Sequence, residues 1–81
     1  MIREIDRAEI RKLPEGSIVR EHSVGRDGIP QYLDITVHHT EDGKVEFYYK
    51  DYEGFQHKTK LRGFKIDSYH YYELLKRGDE A

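Results

Sequence analysis

The sequence of 81 residues contains no cysteine, one methionine and two prolines. Without cysteine there are no disulfides, no thiolate catalysis, no iron–sulfur clusters and no cysteine-ligated zinc. Long apolar runs are also missing. None approaches the roughly 7 to 15 residues of a signal-peptide core or the ~20 of a spanning helix, so a cytoplasmic protein that avoids membranes is the expectation. Neither charge sign dominates: 14 Lys and Arg stand against 16 Asp and Glu, a net charge of -2 with His neutral. That balance excludes a strongly basic nucleic-acid-binding tail. Aliphatic material is scarce. Ile, Leu, Val and Phe number 19 of 81, a little above the ~20% at which disorder becomes the default. A chain of this length buries roughly 60% of its unfolded surface. The core is therefore thin, and self-association into a homodimer would enlarge it. One domain spanning 1–81 is expected, with residues 79–81 frayed.

What the chain does have is seven tyrosines, three phenylalanines and 37% charged residues. The charge is unevenly spread. Residues 44–65 carry Lys44, Lys50, Lys58, Lys60, Arg62 and Lys65 against Glu46, Asp51 and Glu53, a local balance of +3, which leaves -5 for the rest.

Near the start, Asp6 with Glu9 three residues on has capping-box spacing, and Ile5 with Ile10 has that of a hydrophobic staple. Pro14 ends this helix after one or two turns. Ser17 to Val24 reads as a strand of poor alternation, followed by a Gly- and Pro-rich loop, 25–30. Tyr32–Thr40 and Lys44–Tyr52 alternate with period two. Leu33, Ile35 and Val37 form the apolar face of the first strand, and Val45, Phe47 and Tyr49 that of the second. A three-residue loop with a left-handed Gly43 pairs Thr40 with Lys44. Val37 then faces Phe47, Ile35 faces Tyr49, His38 meets Glu46 and Asp34 meets Lys50. A second such loop, ending at Gly54, pairs Asp51 with Phe55, Tyr49 with His57, Tyr48 with Lys58, Val45 with Leu61 and Glu46 with Lys60; a register two residues longer is the alternative. A bend at Gly63 brings Leu61, Phe64 and Ile66 to one face. Asp67-Ser68 caps a last helix, Tyr69 to Arg77, burying Tyr71, Leu74 and Leu75, with Gly78 as terminator. The expected fold is thus α+β: a short N-terminal helix, a four-stranded, mostly meander antiparallel sheet, and a C-terminal helix packed on its apolar face.

The chemistry-bearing residues argue against an enzyme. His38 and His39 are neighbours on a strand and point to opposite faces, and no helical His pair exists, so no metal site is expected. His39 and His57 read as polar residues at the rim of the inward face. The serines sit on a poor strand or at a cap, and no glycine-rich phosphate loop precedes a helix. No cofactor is expected either. The outer sheet face is the candidate surface. It carries Tyr32, Tyr48 and Tyr52 interleaved with Lys44, Lys50, Lys58, Lys60 and Arg62. Rings on which bases stack, set among cations that follow phosphates, suit single-stranded nucleic acid. The plainer reading is a solvated face whose lysines pair with Asp34 and Glu46.

Arg62-Gly63-Phe64-Lys65-Ile66-Asp67, followed by Tyr71, Leu74 and Leu75, resembles the strand-to-helix exit of the single-stranded-DNA-binding transcriptional coactivator family and, more loosely, of Pur-alpha-like modules. Leu33-Asp34-Ile35 is similar to that family's second strand. The resemblance covers about half the chain. It implies a non-enzymatic dimer binding single strands across a curved sheet, with Arg62 the basic position that transfers. The leading expectation is therefore a nucleic-acid-binding module. The alternative is a small regulatory or protein-interaction protein that uses the same face or an edge strand.

Overall fold

The computed structural model describes residues 3–61 and 70–80. Among these, six strands form one antiparallel sheet: β1 (Glu4–Ile5), β2 (Ile18–Val24), β3 (Pro30–His39), β4 (Val45–Lys50), β5 (Gln56–Thr59) and β6 (Tyr71–Lys76), in the order β1-β6-β2-β3-β4-β5. A single helix, α1 (Arg7–Arg11), connects β1 to β2.

Local chemistry explains most of these elements. The Asp6 carboxylate accepts the Glu9 N–H at 2.8 Å and caps α1, supplying a partner for one of the amides a helix start leaves free. Ile5 and Ile10, the staple pair, are both buried. The β3–β4 and β4–β5 hairpins close with the expected loops. Thr40 N–H bonds Lys44 C=O and Asp51 N–H bonds Phe55 C=O. Gly43 and Gly54 sit at φ 85° and 89°, a region that a side chain disfavours. Val37 faces Phe47, His38 faces Glu46, Tyr48 faces Lys58 and Tyr49 faces His57, as alternation dictates.

The C-terminal helix does not form, and the fold class is corrected accordingly. Among the described residues the chain is mostly β, one six-stranded sheet with one short helix, not α+β. Tyr71–Lys76 is β6, inserted between β1 and β2, with Tyr72 opposite both Glu21 and Ile5 and Leu74 opposite Val19. This segment carries two periodicities. Tyr71, Leu74 and Leu75 share a helical face, whereas Tyr72 and Leu74 share a strand face. Two flanking strands offer β6 a ladder on each side, and tertiary pairing overrides a weak local preference. Tyr72 is therefore fully buried, while Tyr71 is half-buried on the opposite face, its ring stacked on His22 at 4.4 Å. The expected bend at Gly63, the burial of Phe64 and Ile66 and the cap at Asp67-Ser68 fall outside the described residues.

One face of the sheet is apolar. Val19, Ile35, Val37, Phe47, Leu61 and Tyr72 join Ile5, Ile10 and Leu13 in a single buried cluster, against which Leu33, Val45 and Leu74 pack. Each fully buried large side chain contributes roughly 1.5–3 kcal/mol. The other face is polar and borders the candidate site.

β2 and β4 run one way, and β3, β5 and β6 run the other. The β2–β3 and β4–β5 turns therefore share one end of the sheet, called here the tip. The β3–β4 turn, the 12–17 connection and the C-terminal residues 77–80 share the other end, the base.

Candidate binding cleft

β3 and β4 are not paired along their whole length. Their ladder runs from His39–Val45 to Thr36–Tyr48 and stops there. Beyond it, among the described residues, β3 continues to Pro30 paired with β2 alone, and β4 continues to Lys50 paired with β5 alone. The sheet thus forks into two hairpins toward the tip. Between them lies a cleft of about 680 Å³, lined from β3 by Tyr32, Asp34 and Thr36 and from the other hairpin by Tyr48, Lys50 and Tyr52.

The fork has an electrostatic counterpart. Alternation places Asp34 opposite Lys50, but Asp34 is taken from the other side. Arg20 on β2 bonds it with two nitrogens, Nε at 2.7 Å and Nη2 at 3.1 Å, a planar fork-to-fork geometry. The same guanidinium lies 4.2 Å from the centre of the Tyr32 ring, a cation–π contact that fixes the ring beside the cleft. Asp34 raises the Arg20 pKa. Lys50 is the one cation among the cleft residues described, and it has no ion pair among the described residues.

On β4, Glu46 accepts from Lys58 Nζ at 2.5 Å and from the Tyr48 hydroxyl at 2.8 Å. Lys58, then Tyr48, hold the Glu46 carboxyl below its usual range; Glu46 in turn raises Lys58 and Tyr48. Beyond β4 the turn is held open by Asp51. Its carboxylate accepts the backbone N–H of Glu53 and of Phe55, each at 2.9 Å, and meets His57 Nε2 at 2.7 Å. His57 first, then the Phe55 and Glu53 amides, lower the Asp51 pKa. The turn carries Tyr52 outward at 96% exposure and leaves Phe55 at 64%. Val24, Ile29 and Tyr32 are the other large apolar side chains left exposed among the described residues, and all five belong to the tip half of the sheet.

The eight residues read from the sequence are therefore divided. Tyr32, Tyr48, Lys50 and Tyr52 line the cleft. Lys44, Lys58 and Lys60 border a separate hollow of about 370 Å³ that also includes Arg11 and Phe47. Arg62 lies outside the described residues. The Glu46–Lys60 and Val45–Leu61 pairs are not made, because the β4–β5 ladder ends at Phe47–Thr59. His39 and His57 are exposed, not partly buried at a rim. His39 Nε2 sits 2.6 Å from Leu13 C=O. No group of three or more metal-ligating side chains occurs among the described residues.

Sequence reasoning missed Arg20, His22, Glu21 and Tyr72. Arg20 was accessible: the Asp27-Gly28 turn, carried back into register, sets Arg20 opposite Asp34. The others depend on β6. His22 Nε2 meets Glu73 at 2.8 Å, and the Tyr72 hydroxyl donates to buried Glu21 at 3.2 Å. Both contacts span 51 residues and exist only because β6 lies beside β2.

Nucleic-acid binding gains no support from this arrangement. Arg20 and Lys58 are committed to carboxylates, and three of the four described cations of the expected surface, Lys44, Lys58 and Lys60, line another hollow. No helix among the described residues is long and apolar enough to cross a membrane. Comparison with protein families, with curated proteins and with solved structures finds no match.

Proposed function

We propose that this protein is a cytoplasmic, non-enzymatic binding module that engages a protein partner through the cleft and exposed aromatic side chains of its tip. The carrying observation is the segregation of exposed apolar side chains: Val24, Ile29, Tyr32, Tyr52 and Phe55 gather at one end. Contiguous exposed apolar surface rimmed by polar groups marks interaction sites, and tyrosine supplies large contact area at little entropic cost. Single-stranded nucleic acid is the weaker reading, because carboxylates on the same face, Asp34 and Glu46, would meet the phosphates.

The test is capture of lysate proteins on the immobilised chain after nuclease treatment, comparing wild type with the double variant Tyr32→Ser, Tyr52→Ser. A nuclease-resistant partner retained by wild type and lost by the variant supports the reading. Equal capture by both places the contact elsewhere and overturns it. A labelled oligothymidine that binds at low salt, weakens steeply with added salt and is lost in the variant replaces it with the nucleic-acid reading.

A further inference from the structure

Sheet edges in folded proteins are kept short or blocked, because unpaired backbone groups recruit other strands. Among the described residues both outer edges follow that rule: β1 has two residues, and β5 has four and carries Lys58. The fork does not. Residues 30–35 of β3 are strand, yet among the described residues only β2 pairs with them, so one side of six consecutive residues faces the cleft without a described ladder.

Which backbone groups face it follows from alternation. Val37 turns both its N–H and its C=O toward β2, to Ser17 and Gly16, and Thr40 N–H turns toward Lys44 on the β4 side. The β2–β3 register is continuous from Thr36 to Pro30, so the period is kept. The N–H and C=O groups of Tyr32 and Asp34 therefore point into the cleft.

We infer that this open side of β3 accepts an extended peptide carrying apolar and acidic residues, added as a strand hydrogen-bonded to Tyr32 and Asp34. In strand addition, main-chain bonds supply affinity and alternate side-chain positions supply specificity. The side-chain positions are present. Half-buried Leu33 and Tyr49 border the cleft from the core side, while the rings of Tyr32 and Tyr52 border it from the outer side. The charge is present too. Arg20 already holds Asp34 with two bonds, whereas Lys50 stands without a carboxylate among the described residues. An incoming Glu or Asp supplies the missing partner; an incoming Lys does not.

This inference rests on the binding-module reading, and its experiment separates the two. Backbone amides of the full-length ¹⁵N-labelled protein are followed by NMR while three short probes are added: a peptide alternating valine with glutamate, the same peptide with lysine for glutamate, and the first peptide with alternate amides N-methylated. In the free protein, Tyr32 and Asp34 amides exchange freely while Val37 is protected. The valine–glutamate peptide slows Tyr32 and Asp34 exchange about tenfold at saturation, and the other two probes do not. Lys50→Glu weakens that peptide about tenfold and leaves the spectrum otherwise folded. Equal binding of the N-methylated peptide, or of the lysine peptide, overturns strand addition. So does protection of Tyr32 and Asp34 in the free protein, whether from closure of the fork or from a second copy seen as a dimer by sedimentation. If no peptide binds while capture through Tyr32 and Tyr52 persists, strand addition fails and the module stands. If that capture also fails, both fall.

Discussion

The base and the tip of the sheet solve opposite problems. At the base, chain segments far apart in sequence interlock. Ser17, fully buried, donates its hydroxyl to Pro14 C=O at 2.7 Å and accepts Gly78 N–H at 2.8 Å. Glu15 meets His38 Nδ1 at 2.5 Å and accepts His39 N–H at 2.7 Å, tying the 12–17 connection to β3. Within the two turns of the tip, polar contacts are local. Asp51 bonds residues two, four and six positions on, and Asp27 accepts Ile29 N–H at 3.0 Å. Contacts across long sequence separations close one end. Contacts within each turn hold the other end in shape without closing it, and so leave apolar side chains and strand backbone exposed.

Substitution at the base tests this contrast with the largest effect. Leu13, in the 12–17 connection, is buried, and Leu13→Ala should cost about 2–5 kcal/mol. At Gly78 a Cβ would come within 1.8 Å of Glu15 C=O. Gly78→Ala therefore forces two backbone segments apart and should cost about 1–3 kcal/mol. Urea denaturation measures both. Losses below about 0.5 kcal/mol would show that the base does not carry the fold.

Acid should act on both ends, and the carboxylates differ in what they release. Glu15 is held below its ordinary value first by the His39 amide, then by His38; Asp51 is held down first by His57. A carboxylate depressed in the folded state stabilises in full above the ordinary carboxylate range, about pH 4. That contribution disappears as pH falls through the depressed folded value. Stability should therefore decline on acidification. Glu15→Gln should flatten the decline in urea midpoint. Asp51→Asn should instead speed amide exchange at Glu53 and Phe55 and leave global unfolding little changed. The reverse pattern would mean that the tip, not the base, controls cooperativity.

The smallest expected effect is at the most exposed ring. Tyr52→Ser should shift stability by no more than about ±0.5 kcal/mol, read by thermal unfolding, while weakening partner capture. A large loss of stability would assign Tyr52 to the fold instead of to binding.

Where structure followed local chemistry, the sequence was readable. The Asp6 cap, the Ile5–Ile10 staple and the two loops ending at Gly43 and Gly54 each rest on residues within five positions of one another. Cross-strand pairs near those loops followed once the loop length was chosen, because the side-chain period of a strand is two. The cleft was half readable. Tyr32, Tyr48, Lys50 and Tyr52 were assigned to one face, but the fork was not foreseen. Asp34 had two oppositely charged candidates, Lys50 and Arg20, and only the β2–β3 register decides between them. β6 was unreadable for a different reason. Tyr71–Lys76 satisfies a helical and an extended pattern together.

By itself, the sequence determined that there are no disulfides, where the turns lie, which faces of β3 and β4 are apolar, and that tyrosines and lysines alternate on the outer one. Those properties depend on side-chain chemistry and on spacings of a few residues. The tertiary structure decided the state of the C-terminal segment, the partner of Asp34, the burial of Tyr72 beside Glu21 and the fork between the two hairpins. Each of these is a competition between alternatives of similar local energy. Each is settled by pairing with a segment more than ten residues away, whose position no short window of sequence contains.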